Sequence, residues 1–415
     1  MPTERLDAAL ARQLGELDAR GARKRVEPVF TGVVAATGDQ GPRYLLAGEG
    51  ERAFVRMNSN GYLGMAMHDA VRRAEEDAVR RYGTGPQAVR FISGTYDVHT
   101  ALEARLAAFH DREAAMLFSS AYACMIGTLP ALAGSSTAMA SDELNHNCII
   151  TATRLAQPKL KVVYPHNGVE RLEAELTALT DAPGESCDRV LVVTDGVFSM
   201  RGDHAPLGAI TELAERFDSA FPDGVTVVVD DSHGVGAFGD AGRGTEEVTR
   251  ARADVLVGTL GKAFGVNGGY VVGSRVLVDV LRETATTYVY SNPITPPEAA
   301  AAHASIDLVD SVSGRALLER LRAATSRLRE GIGALGYETI AGSHPVVPLI
   351  VRDTERTVRL VAHLRANGVL ATGLAYPVVP RGEDEIRFQV SADHTAADID
   401  HVLSVLALHK RTSEV

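Results

Sequence analysis

Lys262 is the first residue of this chain whose type and setting together point to chemistry. It stands in DVLVGTLGKAFGVNGGY, directly after an apolar run and among Gly258, Gly261, Gly265, Gly268 and Gly269. A lysine at the end of a buried strand is partly desolvated, which lowers its pKa and frees neutral amine for a Schiff base. A lone loop lysine is more often solvated and inert, so the reading depends on its neighbours. Two earlier segments end in TDGVFSMRGD and VVVDDSHGVGAFG. If both precede their loops as strands of one sheet, Asp195, Ser199, Asp230 and His233 reach the same sheet edge as Lys262.

That set suits a pyridine cofactor. The protonated ring of pyridoxal phosphate (PLP) draws electrons from a substrate carbon, and an aspartate beside the ring nitrogen keeps the proton on. Asp230 is the expected partner. His233, three residues on, would meet the ring hydroxyl with Ser199. A helix cap or a metal cluster is the alternative reading of the Asp-Asp-Ser-His turn, although the sequence offers no convincing set of further metal ligands.

The elements that must hold these residues can be read from the hydrophobic pattern. AAMLF, STAMA, KLKVVY, RVLVVTD, VTVVVDD, DVLVGTL and GYVVG are short, valine-rich and bounded by Gly, Asp or Ser. Such runs suit strands buried on both faces, hence a mainly parallel sheet clad by helices, with ligands beyond the carboxyl ends of the strands. The expected fold is α/β, a large domain followed by a smaller α+β domain. The boundaries are 1–55 for an N-terminal helix and extension, 56–295 for the large domain and 296–415 for the small one. Leu6, Ala9, Leu10, Leu14 and Leu17 fall at helical spacing and give the first twenty residues an apolar face that should pack on a partner surface.

Composition excludes several classes. In 415 residues the formal charge is −11 with both signs interspersed, which leaves no footprint for nucleic acid or an anionic membrane. The three cysteines, Cys124, Cys148 and Cys187, show no CxxC spacing, so neither a disulfide framework nor a zinc site is indicated. The charged N-terminus has no apolar signal core, and no run is long enough to span a bilayer. A cytoplasmic protein is the expectation.

Seven motifs in order carry a resemblance: NSNGYLG, VRFISGT followed by His99, SDELNHN, TDGVFSM, VVVDDSHGVGAFG, TLGKAFG with GGY, and EIRFQVSADHT. From about residue 56 to the C-terminus the chain resembles the α-oxoamine synthases. These are PLP enzymes of fold type I, the aspartate aminotransferase-like fold, and include aminooxononanoate synthase, aminoketobutyrate CoA ligase, aminolevulinate synthase and serine palmitoyltransferase. NSNGYLG, SDELNHNCII and YSNPITP are similar to the oxoamine synthase domains of polyketide assembly, the saxitoxin type.

The resemblance implies a role for each matching position. Lys262 would carry PLP and later move the substrate α-proton, Asp230 would pair with the ring nitrogen, and Ser199 and His233 would reach the ring hydroxyl. His146 would stack on the ring, for which a buried structural histidine is the bland reading. Thr259 and the turn at Ala121 and Tyr122 would bind phosphate. Arg387 would recognise the amino-acid carboxylate, against an exposed strand arginine, and Asn60 would lie near the substrate. Ser291 and Asn292 would reach the cofactor phosphate of a neighbouring subunit, implying a homodimer with shared active sites.

The implied reaction joins an α-amino acid to an acyl thioester, of CoA or an acyl carrier protein, with loss of carbon dioxide, giving an α-amino ketone. An aminotransferase of the same fold is the competing expectation. GPQAVRFISGT replaces the GSGGSR-type segment of many members, and SAY replaces SGF or SGY. Both departures touch the acyl side or the phosphate turn, so no particular substrate follows.

Overall fold

The apolar runs fold as one sheet. In a computed structural model that describes residues 3–20, 23, 27–181, 187–376 and 379–413, they form β1 (Ala114–Phe118), β2 (Thr137–Asp142), β3 (Leu160–Tyr164), β4 (Arg189–Asp195), β5 (Val225–Asp230), β6 (Val255–Thr259) and β7 (Gly269–Gly273). The spatial order is β1-β7-β6-β5-β4-β2-β3. The pairs from β3 through β2, β4 and β5 to β6 are parallel. Strand β7 runs antiparallel to both β6 and β1. Its reversal follows from chain length: a parallel return needs a crossover of a dozen or more residues, and only the short glycine-rich turn carrying Lys262 separates β6 from β7. Every residue of β1, β6 and β7 is buried, whereas edge strand β3 exposes Lys161 and Val163.

Register decides what meets at the carboxyl edge. Asp195 pairs with Asp230 across β4 and β5, and Gly269 pairs with both Thr259 and Phe118. The terminal residues of the central strands therefore stand side by side.

The chain divides into two compact units, one of residues 60–323 and 342–345, the other of 1–59, 324–341 and 346–415. This differs from the boundary expected at 296. Helix Pro296–Val309 belongs to the large unit because it packs on helices Asp69–Tyr82 and Asp97–Phe109. Ala299, Ala301, Ala302 and Ser305 on it are buried, small enough for close helix contact. In the small unit the N-terminal extension joins the C-terminal part: Ala53–Arg56 pairs in parallel with Val369–Leu370. A second, antiparallel sheet of the same unit contains Val346–Ile350, Thr372–Leu374 and Glu385–Gln389. Helix Thr3–Ala19 forms as the periodicity predicts but buries none of its residues. No helix among the described residues is long and apolar enough to cross a membrane.

Candidate active site

At the carboxyl ends of β4, β5 and β6 lies a pocket of about 240 Å³. Of the residues singled out from sequence, Ala121, Tyr122, His146, Ser199, Asp230, His233, Thr259 and Lys262 line it. Sequence reasoning did not assign roles to Ser120, Cys148, Asp195, Val197 and Ser232, which line it too.

Asp230 ends β5 and is buried. Its Oδ1 accepts the Ser232 backbone N–H at 3.1 Å, and its Oδ2 accepts the Cys148 thiol at 3.3 Å. Asp195 ends the neighbouring strand and accepts the His146 backbone N–H at 2.8 Å. Burial and then the charge of Asp230 push the Asp195 carboxyl well above the usual carboxylate range, with Lys262 opposing. His146 caps helix Asn147–Ala156, with Nδ1 accepting from the Cys148 N–H at 3.2 Å. As a residue His146 is exposed, yet enclosure of its ring lowers the pKa; Asp230 opposes this and Lys262 adds to it. The imidazole is therefore neutral near pH 7. Among the described residues no group of three or more His, Cys, Asp or Glu side chains is arranged to hold a metal ion.

Two histidines and a tyrosine build the adjoining wall. Tyr62, fully buried, brings its hydroxyl 2.7 Å from Nδ1 of His233 and 3.4 Å from Oδ1 of Asn60. His344 Nε2 lies 3.0 Å from the His233 carbonyl, and its ring meets Tyr62 edge-on at 5.6 Å. Tyr62 lies in NSNGYLG, so the signal was present, but the sequence did not say that it faces His233. Ser232 Oγ is buried in the pocket wall with no hydrogen-bond partner among the described residues, the mark of a site shaped for a polar ligand.

At the other end the pocket meets helix Ala121–Leu132. Ser120 caps it, its hydroxyl accepting the Ala123 N–H at 3.0 Å. The amides of Ala121 and Tyr122 open the helix, where N–H groups lack intrahelical acceptors and the dipole favours an anion. Strand β7 passes so close that a Cβ on Gly269 would stand 2.2 Å from the Ala121 nitrogen. Thr259 closes this side; its hydroxyl donates to the Gly268 carbonyl and accepts from the Gly261 N–H. An amine, a buried carboxylate and a helix N-terminus in one small pocket fit the aldehyde, the ring nitrogen and the phosphate of PLP.

Other expected residues are not in the pocket wall. Asn60 Oδ1 lies 3.4 Å from the Tyr62 hydroxyl, which in turn meets the pocket residue His233. Ser291 and the exposed Asn292 stand in the segment before helix Pro296–Val309. Arg387 belongs to the small unit, on strand Glu385–Gln389 between Pro348 and Thr372.

Comparison with known proteins gives the family. The family model for aminotransferase class I and II matches residues 52–406. An 8-amino-7-oxononanoate synthase of Geobacter sulfurreducens is 38% identical over 385 residues, 92% of this chain and 95% of that protein. The serine palmitoyltransferase of Sphingomonas wittichii superposes with a TM-score of 0.86 at 27% identity, covering 99% of this chain and 98% of the other. A structure of SPT with a PLP internal aldimine has a TM-score of 0.84 at 26% identity, with the same coverage. The chain belongs to the aminotransferase class I and II family. More narrowly, these relatives make it an α-oxoamine synthase.

Proposed function

We propose that this pocket holds PLP and joins an α-amino acid to an acyl thioester with loss of carbon dioxide, releasing an α-amino ketone. The observation that carries the reading is the delivery of Lys262, Asp230 and a helix N-terminus to one pocket by adjacent elements of a single sheet. When bound, PLP supplies the electron sink that makes the amino-acid α-carbon nucleophilic.

The chain's own residues do the rest. Lys262 supplies the amine that carries the cofactor and then moves the α-proton. Asp230, anchored through both oxygens, keeps the ring nitrogen protonated. Ser199 and His233 hydrogen-bond the ring hydroxyl, and Tyr62 orients His233. His146 would lie against the ring, and its neutral imidazole would donate to the incoming carboxylate or thioester oxygen. Thr259 and the amides of Ala121 and Tyr122 hold the phosphate. Arg387 binds the amino-acid carboxylate through its fork of N–H donors, and Asn60 contacts the substrate.

The working form is a homodimer, with Ser291 and Asn292 of each copy at the other's phosphate. The protein works in the cytoplasm, with Cys124, Cys148 and Cys187 all buried.

The test mixes PLP-loaded protein with a panel of amino acids and with CoA or carrier-protein thioesters, following free thiol and carbon dioxide. Thiol and carbon dioxide release that requires one amino acid, with an amino ketone as product, is the expected result. Conversion of PLP to pyridoxamine phosphate with release of a keto acid would instead make the protein an aminotransferase. Lys262→Ala should abolish turnover, and retained turnover would overturn the mechanism. Arg387→Ala should weaken amino-acid binding with PLP still held.

A further inference from the structure

Cys148 touches both His146 and Asp230. Its backbone N–H donates to His146 Nδ1 at 3.2 Å, its Sγ lies 3.0 Å from that nitrogen, and its thiol donates to Asp230 Oδ2 at 3.3 Å. The residue is 1% exposed although it lines the pocket. Burial, and then the charge of Asp230, push the thiol pKa up, so the sulfur keeps its proton and acts as a donor.

That one proton faces two acceptors. An imidazole nitrogen has a single in-plane lone pair, and the backbone N–H of Cys148 already uses the one on His146 Nδ1. Asp230 offers two oxygens with several lone-pair sites, of which Oδ1 takes the Ser232 N–H. The thiol proton therefore goes to Asp230. An accepting Nδ1 carries no proton, so the neutral ring of His146 holds its proton on Nε2.

We propose that Cys148 is a positioning residue that acts on both partners at once: its backbone amide fixes His146 as the Nε2–H tautomer, and its thiol holds Asp230 Oδ2 in place. The consequence for the reaction rests on the PLP reading above. His146 presents a donor to the pocket, and Asp230 faces the ring nitrogen with both oxygens held and lone pairs to spare. The two actions separate by mutation, because Cys148→Ala deletes the thiol donor and keeps the backbone N–H, while Cys148→Ser restores a side-chain donor.

The experiment is infrared and NMR spectroscopy of the full chain with and without PLP. The Cys148 S–H stretch, assigned as the band missing from Cys148→Ser, should lie at a hydrogen-bonded frequency and move toward the free-thiol frequency in Asp230→Asn. Imidazole nitrogen shifts should show His146 protonated on Nε2 in both wild type and Cys148→Ala. PLP should bind about tenfold more weakly to Cys148→Ala, the scale of one hydrogen bond to a charged group, and within about twofold of wild type to Cys148→Ser. A free-thiol band unmoved in Asp230→Asn, or His146 protonated on Nδ1, would overturn the proposal. These spectra are read without turnover. A protein that showed them yet made no amino ketone would refute the reaction and leave the role of Cys148 standing.

Discussion

The hydroxyl of Tyr62 lies 2.7 Å from Nδ1 of His233, although 171 residues separate the two in sequence. A phenol has one proton, and the longer 3.4 Å contact to Asn60 is the weaker claim on it. Tyr62→Phe keeps the ring packing and removes this donor from a buried site. Stability should fall by about 1–2 kcal/mol, measured by urea unfolding, with PLP affinity falling as well; an unchanged affinity would separate Tyr62 from the cofactor site.

Asp195 gives a prediction for pH. Its carboxyl is buried beside Asp230, and both effects raise its pKa in the fold. The folded state then binds more protons than the unfolded chain above the ordinary carboxylate range. Stability is fully present below that range and is lost as pH rises through the raised value. Asp195→Asn keeps an acceptor for the His146 N–H and removes the charge. The PLP-free variant should lose less stability than wild type between acid and neutral pH in thermal melts, and identical pH profiles would refute this.

His166 shows the same pH sense from a different cause. Burial alone would lower its pKa, but hydrogen bonds to Asp142 at 3.3 Å and Asp203 at 3.0 Å push it up to about 9. A raised histidine stabilises the fold fully below about pH 6.5, and the contribution disappears as pH rises through about 9. His166→Gln should cost on the order of 2–3 kcal/mol at pH 6 and much less at pH 10. Chemical denaturation at both values measures the difference. The ring also meets Phe198 edge-on at 4.3 Å, next to Ser199, so the variant should loosen that turn.

Gly269 sits where β7 passes the helix that opens at Ala121. A Cβ there meets backbone rather than a side chain that could swing away. Gly269→Ala should therefore destabilise by about 1–3 kcal/mol and weaken binding of inorganic phosphate or PLP, read by denaturation and by fluorescence titration. An affinity equal to wild type would show that the helix end does not bind the phosphate.

Much of the fold was legible in local pattern. All seven apolar runs became strands of one sheet because a strand buried on both faces must be apolar almost throughout, and the helical period of residues 3–19 survived as a helix. The small unit was less legible. Pairing of Ala53–Arg56 with Val369–Leu370 links segments more than 300 residues apart, and no local periodicity encodes such a partner. The boundary near 296 was misplaced for a similar reason: an alanine-rich helix shows in its sequence that it packs closely, but not against what.

The sequence by itself determined the residue types available to the site and the strand ends that carry them. Lys262, Asp230 and His233 could be read there because turn glycines and terminal aspartates interrupt otherwise apolar strands. Only the tertiary structure decided which atoms meet. Strand register set Asp195 beside Asp230, close packing of β7 on a helix required Gly269, and the thiol of Cys148 found Asp230 across 82 residues. These relations depend on distances fixed when distant segments pack, and they govern proton positions and charge, which residue order alone does not specify.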